Sequence, residues 1–254
     1  MFQIQNFLDN DDVRIVEEAG CFKIAEYQRD LSCSPQDAQL KYFMASMRVR
    51  KKQLYIDLSQ NQSGVIIQPG AMQWMIGEVQ QTTGLKGVGD AVGKFFSSKV
   101  TGESTIKPEY KGKGILVTEP TYLHYLIEKV EDWGGGIVMQ DGLFAACDGS
   151  VRLKTVARTT LSSTVAGGEG LFNLCATGSG HVVFESKVPR EELILLQLDN
   201  DIVKIDGSYA IAWTSSLQFT VERSGKTLLG SAASGEGLVN VYKGSGKILM
   251  MPQV

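Results

Sequence analysis

The residues with the greatest capacity for chemistry in this sequence are its cysteines and histidines. They are Cys21, Cys33, Cys147, Cys175, His124 and His181. The cysteines show no zinc-type spacing, and neither histidine lies near a nucleophile motif such as Gly-x-Ser-x-Gly. Cys175 and His181 are close enough in sequence to meet across a hairpin as a nucleophile and its base. We favour the alternative of a structural histidine beside a buried thiol.

Three glycine-lysine segments imitate a phosphate-binding loop, which requires Gly-x-x-x-x-Gly-Lys-Ser/Thr at the start of a helix. They lie at Gly93-Lys94, Gly225-Lys226-Thr227 and Gly246-Lys247. Each lacks the first glycine, because Val88, Thr220 and Val241 stand there. Gly87-x-Gly89 followed by Gly93 also misses the dinucleotide-binding spacing by one residue. We therefore predict no cofactor.

The bulk composition excludes several classes of protein. The formal net charge is −3 and the isoelectric point is near 5.5, so the chain lacks the positive charge that nucleic-acid binding requires. No apolar run approaches the roughly 20 residues of a membrane-spanning helix, and residues 1–6 do not resemble a signal peptide. We expect a soluble cytoplasmic protein with reduced thiols.

Glycine landmarks recur along the chain and predict an internal repeat. A Gly-Glu element is followed by a Gly-x-Gly element in three places, and a turn glycine precedes each pair. The repeat signature comprises Gly70, Gly142, Gly207, Gly102, Glu103, Gly168, Glu169, Gly235, Glu236, Gly178, Gly180, Gly244 and Gly246. We expect the three turn glycines at matching places.

The elements that position these landmarks are predicted to be strands. The run from Gln53 alternates polar and apolar residues, as a half-buried strand does. We predict an all-β fold, mainly antiparallel, in which three sandwich-like repeats form one pseudo-threefold body. The single domain would comprise an N-terminal extension, 1–53, and repeats 54–120, 121–186 and 187–254.

The N-terminal extension carries the clearest helix signal. Ser34 can cap, Pro35 suits the first helical position, and Leu40, Phe43, Met44 and Met47 recur with helical spacing. We predict a helix at about 35–50. The basic residues that follow, Arg48, Arg50, Lys51 and Lys52, suit a solvated helix end, although they could contact an anionic partner. A second, short helix is predicted within the glycine-rich segment 84–98.

The repeated glutamates Glu103, Glu169 and Glu236 allow two interpretations. They could converge on the pseudo-threefold axis and bind a cation. Alternatively, each carboxylate could satisfy backbone N–H groups in its own turn, which is the interpretation we favour.

The run Gln68-Pro69-Gly70-Ala71-Met72, together with 167–172 and the closing glycine motifs of 235–246, resembles the altered inheritance of mitochondria family. Its bacterial members share a fold like that of the tryptophan RNA-binding attenuation protein. The resemblance covers roughly residues 54–254 and implies three similar β units in one pseudo-symmetric body. It implies no established activity, and the residues that bind tryptophan and RNA in that fold have no match here.

Two hypotheses for function follow. The first is a non-enzymatic scaffold or interaction protein that binds protein partners or itself through its β edges or its helix. The alternative is a small-ligand or membrane-surface binding module that uses the segment 84–98, where Phe95 and Phe96 are flanked by lysines. An enzyme would require Cys175 and His181 within hydrogen-bond reach in a cleft. We assign no catalytic, cofactor-binding or metal-binding residue.

Overall fold

The computed structural model describes residues 2–83, 107–157, 172–223 and 238–252. Within these ranges the chain is mostly antiparallel β-structure with one α-helix, as the sequence predicted. The N-terminal part contains β1 (Val13–Ala19), β2 (Phe22–Tyr27) and the helix α1 (Pro35–Ser46). The helix is therefore confirmed, although it ends a turn earlier than expected.

Three groups of strands follow, each containing a short 3-10 helix. The first group is β3 (Lys52–Asp57), Leu58–Gln60 in a 3-10 helix, β4 (Val65–Ile67), β5 (Met72–Thr82) and β6 (Glu109–Thr118). The second is β7 (His124–Lys129), the 3-10 helix Val130–Trp133, β8 (Ile137–Met139), β9 (Phe144–Asp148), β10 (Val151–Ala157), β11 (Phe172–Gly178) and β12 (His181–Ser186). The third is the 3-10 helix Arg190–Glu192, β13 (Ile194–Asp206), β14 (Ala210–Thr214), β15 (Gln218–Arg223) and β16 (Leu238–Met250).

The described strands form two sheets. The nine-stranded sheet runs β1-β2-β3-β6-β4-β9-β12-β7, with β5 paired to β6. The seven-stranded sheet runs β10-β11-β8-β14-β16-β13, with β15 paired to β16. Each sheet combines strands from two successive groups, so the second group lies in both sheets and connects the first group to the third.

A bulge recurs at the same place in three strand pairs. Its flanking pairs are Met72–Thr118 and Trp74–Val117, then Phe144–Phe184 and Ala146–Val183, then Ala210–Met250 and Ala212–Leu249. An equivalent backbone hydrogen bond precedes each bulge: Glu119 to Ala71, 2.7 Å, Glu185 to Leu143, 2.8 Å, and Met251 to Tyr209, 2.8 Å. These correspondences support the predicted triplication, whose boundaries stay a prediction.

The turn glycines agree at two of their three expected places. Gly70 and Gly142 both have φ +79° at the third position of a turn closed by a backbone hydrogen bond, as in a type II turn. Gly207 has φ +53° and lies one position earlier, since Tyr209 is the counterpart of Ala71 and Leu143. The prediction that the three turn glycines occupy matching places is therefore wrong for Gly207. This glycine lies at the second position of its turn, whereas Gly70 and Gly142 lie at the third.

The N-terminal extension covers one end of the body. Phe7 is 9% exposed and packs edge-on against Trp74 with ring centroids 5.8 Å apart. Val13 and Ala25 belong to the same buried cluster, together with Val117 of β6. Burial of these apolar surfaces stabilises the attachment of the extension to the first group of strands.

Candidate interaction surface

Helix α1 begins as its sequence predicts. The Ser34 hydroxyl accepts a hydrogen bond from the Asp37 backbone nitrogen at 3.2 Å and donates to the Asp37 carboxylate at 2.6 Å. Pro35 occupies the first helical turn, where it leaves no hydrogen bond unmade. This cap fixes the helix start outside the sheets.

The helix ends in a Schellman motif without glycine. The Arg48 nitrogen donates to Ala45 at 3.0 Å and the Val49 nitrogen donates to Met44 at 2.8 Å, the two bonds that define the motif. Arg48 has φ +62°, a left-handed conformation that glycine adopts more easily. The chain then returns to the sheet through the basic residues that the sequence placed at a solvated helix end.

Ion pairs attach the helix to the sheet. The Asp30 carboxylate lies 2.8 Å from Lys41 Nζ of the helix and 2.7 Å from Lys51 Nζ before β3. Burial alone would raise the pKa of Asp30, but hydrogen bonds from Lys41 and Lys51 outweigh it and lower this pKa to about 2. Lys52 and Arg50 approach Glu26, so three of the four basic residues face carboxylates.

A cleft of about 240 Å³ separates α1 from the end of β2. Met44 and Val49 line its apolar part, and Tyr27 and Tyr122 add aromatic walls. Arg50 also lines it, and within the described structure its Nε atom is buried and has no hydrogen-bond partner. The space between the helix and the sheet is thus only partly filled by side chains.

Three of the four apolar side chains that predicted α1 are exposed, whereas the fourth, Met44, lines the cleft. Leu40 is 63% exposed, Phe43 55% and Met47 77%. They lie three and four residues apart, so they form one outward stripe, and no residue of the helix is fully buried. We call these three residues the α1 stripe. An exposed apolar patch of this kind is typical of interaction sites.

The contact that a catalytic pair of Cys175 and His181 would require is not made, in line with the structural interpretation that we favoured. Both residues are described, and no hydrogen bond joins them, because β11 lies in the seven-stranded sheet and β12 in the nine-stranded sheet. Cys175 is fully buried in the cluster around Trp213. His181 instead has Nδ1 3.1 Å from Asp148 Oδ2. The hairpin interpretation fails because the chain crosses between the sheets at Gly178–Gly180.

Asp148 organises a polar cluster that the sequence did not reveal. Its carboxylate accepts from the His181 backbone nitrogen at 2.7 Å, from Asn61 Nδ2 at 2.6 Å and from the Cys21 thiol at 3.6 Å. Burial raises the pKa of Cys21 to about 12, so this thiol remains protonated and serves as a donor. The cluster therefore cross-links the β1–β2 turn with the first two groups of strands.

Among the remaining candidate residues, Cys147 is buried, whereas Cys33 and His124 are partly buried. Burial raises the pKa of Cys147 and of Cys175, and burial followed by the nearby Lys52 charge lowers the pKa of His124. Among the described residues, no group of three or more histidines, cysteines or carboxylates is arranged to hold a metal. In the same ranges, no helix has the length and apolarity needed to cross a membrane.

Part of the repeat signature lies outside the described residues: Gly102, Glu103, Gly168, Glu169, Gly235 and Glu236, with the segment 84–98 and the segments at Gly93 and Gly225.

The Gly-x-Gly elements are described. Gly180 and Gly246 occupy matching places, since a Cβ on Gly180 would lie 2.8 Å from Asp148 and one on Gly246 would lie 2.9 Å from Thr214. Gly178 and Gly244, with φ +101° and +124°, precede them in the same order.

Comparison with known proteins identifies relatives over most of the chain. The family model described as mitochondrial biogenesis AIM24 matches residues 45–253. An uncharacterised protein of Streptococcus pyogenes serotype M6 is 28% identical over 200 residues, which are 76% of this chain and 78% of that protein. A crystal structure of a Streptococcus pyogenes protein is similar with a TM-score of 0.58 and 25% identity, covering 80% of this chain and 88% of that one. Most of helix α1 precedes the family match.

Proposed function

We propose that this chain, which belongs to the mitochondrial biogenesis AIM24 family, is a non-enzymatic scaffold or interaction protein of the cytoplasm. The observation that carries this proposal is the α1 stripe. Three large apolar side chains stay in water on a helix that is capped at both ends. Holding such a surface in a fixed position suits the binding of another molecule.

The attachment of the helix supports the same proposal. Capping, a Schellman motif and the Asp30 ion pairs fix the direction of α1 without burying its apolar side chains. A helix kept only for stability would turn these side chains toward the core, since burying one contributes about 1.5–3 kcal/mol. The free thiols of all four cysteines also suit the reducing cytoplasm.

Photo-crosslinking in cells tests this function. A photoreactive phenylalanine analogue replaces Phe43, which is 55% exposed, and a matched control carries it at Glu18, whose side chain is 56% exposed. We expect crosslinks to a defined protein from position 43 but not from position 18. Adding Leu40→Asp should abolish them while circular dichroism stays unchanged.

Two results would overturn the proposal. Equal crosslinking from both positions would mean that the stripe has no special role. Crosslinks to lipid alone would favour the membrane-surface alternative.

A further inference from the structure

Two strand junctions inside the chain are built in the same way. In each, a short strand of one group pairs with the strand that follows the turn in the next group: β4 with β9, and β8 with β14. Matching backbone hydrogen bonds flank the two junctions. At the first, the Gln68 nitrogen donates to Ala145 at 2.8 Å and the Gly149 nitrogen donates to Gly64 at 2.7 Å. At the second, the Gln140 nitrogen donates to Ile211 at 2.8 Å and the Ser215 nitrogen donates to Gly136 at 2.9 Å. We call this arrangement the seam.

Among the residues that the structure describes, the two strands that would form a third seam have no partner on their outer edges. Counting from the shared bulge, Met75 of β5 stands where β9 has Cys147. Counting from the turn, Lys204 of β13 stands where β4 has Ile66. Within the described chain, β5 pairs only with β6, and β13 pairs only with β16. Each copy thus presents both halves of a seam.

The N-terminal extension packs on one face of β5. Ala146 and Ala212, the counterparts of Trp74, lie against the buried core of the preceding group. Trp74 lies instead against Phe7 of the extension. The face beside β5 is therefore occupied by the chain's own residues, whereas the edge of β5 stays open.

The open edge of β13 has the length that a seam requires. A bulge between Leu198 and Asp201, where Asn200 has φ +51°, interrupts the strand, so its regular edge extends over 202–206. The existing seams use the same length of chain, 64–68 and 136–140. Ile202 is 51% exposed and Met75 is 40% exposed, so apolar side chains accompany the unpaired backbone groups on both edges.

We propose that the β13 edge of one copy, 202–206, pairs with the β5 edge of a second copy, 73–77, in the register of the internal seams. Lys204 then lies opposite Met75, and its charge keeps the edge from pairing at random. Because the two edges differ, the contact is head-to-tail and builds a ring or an open chain of copies. The second copy of the protein is the partner that this surface fits.

Two proline variants of the full chain test the pairing. Lys204→Pro removes a backbone N–H on the outer edge of β13, and Met75→Pro removes a backbone N–H on the outer edge of β5. In the seam register each of these N–H groups points away from the neighbouring strand of its own chain, so neither substitution removes an existing hydrogen bond. We expect sedimentation velocity to show concentration-dependent oligomers of the unmodified protein. Each variant alone should raise the dissociation constant about tenfold or more.

Mixing the two variants provides the decisive outcome. Each keeps one intact edge, so an equimolar mixture should form dimers and stop there. An unmodified protein that stays monomeric up to millimolar concentration overturns the proposal. Dimers of the Met75→Pro variant alone would also overturn it, because they would require β13 to pair with itself.

Disulfide crosslinking keeps the test informative if a proline variant does not fold. Residues of a hydrogen-bonded antiparallel pair have Cα atoms about 5.5 Å apart, within reach of a disulfide. Chains with Lys204→Cys should therefore crosslink to chains with Met75→Cys, and not to a Glu18→Cys control. Absence of that crosslink refutes the register. Substitutions in the α1 stripe should leave all these results unchanged, so the two proposals can fail separately.

Discussion

Asp148 and His181 face each other across the pair β9–β12, with Asp148 Oδ2 3.1 Å from His181 Nδ1 and 2.7 Å from the His181 backbone nitrogen. The Asp148 side chain is 10% exposed, and Asn61 donates to its other oxygen at 2.6 Å. One carboxylate therefore satisfies donors from two groups of strands. The arrangement is structural, because the carboxylate joins the Asn61 side chain and the Cys21 thiol of the β1–β2 turn to the strand pair β9–β12.

Removing this carboxylate should be costly. Asp148→Ala leaves the His181 N–H and the Asn61 amide without an acceptor in a largely buried place, so we expect a loss of about 2–3 kcal/mol in the free energy of unfolding. Urea denaturation followed by tryptophan fluorescence measures it. Glu222→Ala is the control: its exposed pair with Lys204, at 3.4 Å, should contribute under about 1 kcal/mol. Equal losses in the two variants would contradict this role of Asp148.

The contact between Phe7 and Trp74 predicts that the N-terminal extension stabilises the body. Phe7→Ala deletes a ring that is 9% exposed, and we expect it to lower the free energy of unfolding by about 3 kcal/mol. Phe2, which is 42% exposed, provides the matched control, and Phe2→Ala should change stability by under about 0.5 kcal/mol. If Phe7→Ala left the free energy of unfolding unchanged, the extension would not stabilise this end of the protein.

Acid should loosen the attachment of α1. The folded-state pKa of Asp30 is lowered to about 2, below its unfolded value near 4. Its stabilising effect is therefore complete above about pH 4 and is lost as the pH falls toward 2. Thermal unfolding of the native protein and of Asp30→Asn should give melting temperatures that differ at pH 5 and converge near pH 2. A difference that persists at low pH would show that the ion pairs with Lys41 and Lys51 are not its cause.

Local signals were sufficient to predict the α-helix and many strands. Ser34 and Pro35 mark the start of α1 by chemistry that acts within one turn, and the alternation of Leu54 and Ile56 with polar residues indicates strand β3, where both apolar side chains are buried. The antiparallel all-β class followed from such signals. The exposure of Leu40 could not be predicted, because periodicity identifies an apolar face without saying what covers it.

Long-range pairing explains what the sequence did not reveal. Asp148 contacts Cys21 across 127 residues, and no local pattern brings these two together. The disfavoured alternative, a catalytic pair of Cys175 and His181, fails for a related reason, since these residues lie six apart but in different sheets. Repeated glycines indicated corresponding turns, but a turn can place its glycine at either central position, which shifted Gly207 by one.

The end of α1 offers a stabilising substitution. Arg48 adopts φ +62°, and the left-handed conformation costs a non-glycine residue roughly 1 kcal/mol. Arg48→Gly should therefore raise the free energy of unfolding by up to about 1 kcal/mol, measured by chemical denaturation. Arg48→Ala keeps the backbone cost and should give no gain. A gain in both variants would assign the effect to the arginine side chain instead of its backbone.

Substitutions at Gly70 and Gly180 distinguish the free-energy cost of a left-handed backbone conformation from the cost of steric crowding. Gly70, at φ +79°, has no atom within 4 Å of the place that an alanine methyl group would take, so Gly70→Ala should cost about 1 kcal/mol for conformation alone. Gly180, at φ +128°, would place its Cβ 2.8 Å from Asp148 Oδ2 and 3.0 Å from Ser150 Oγ. Gly180→Ala should therefore cost about 2–4 kcal/mol, because steric crowding adds to the conformational cost.

A double-mutant cycle checks the origin of the larger cost. In an Asp148→Ala background the carboxylate oxygen is absent, while Asp148 Cβ and Ser150 Oγ, both 3.0 Å from the new methyl group, remain. The additional loss caused by Gly180→Ala should therefore become smaller but should stay above that of Gly70→Ala. Chemical denaturation of the four proteins of the cycle gives the coupling between the two positions. Additive losses would show that the Asp148 carboxylate does not contribute to the cost of Gly180→Ala.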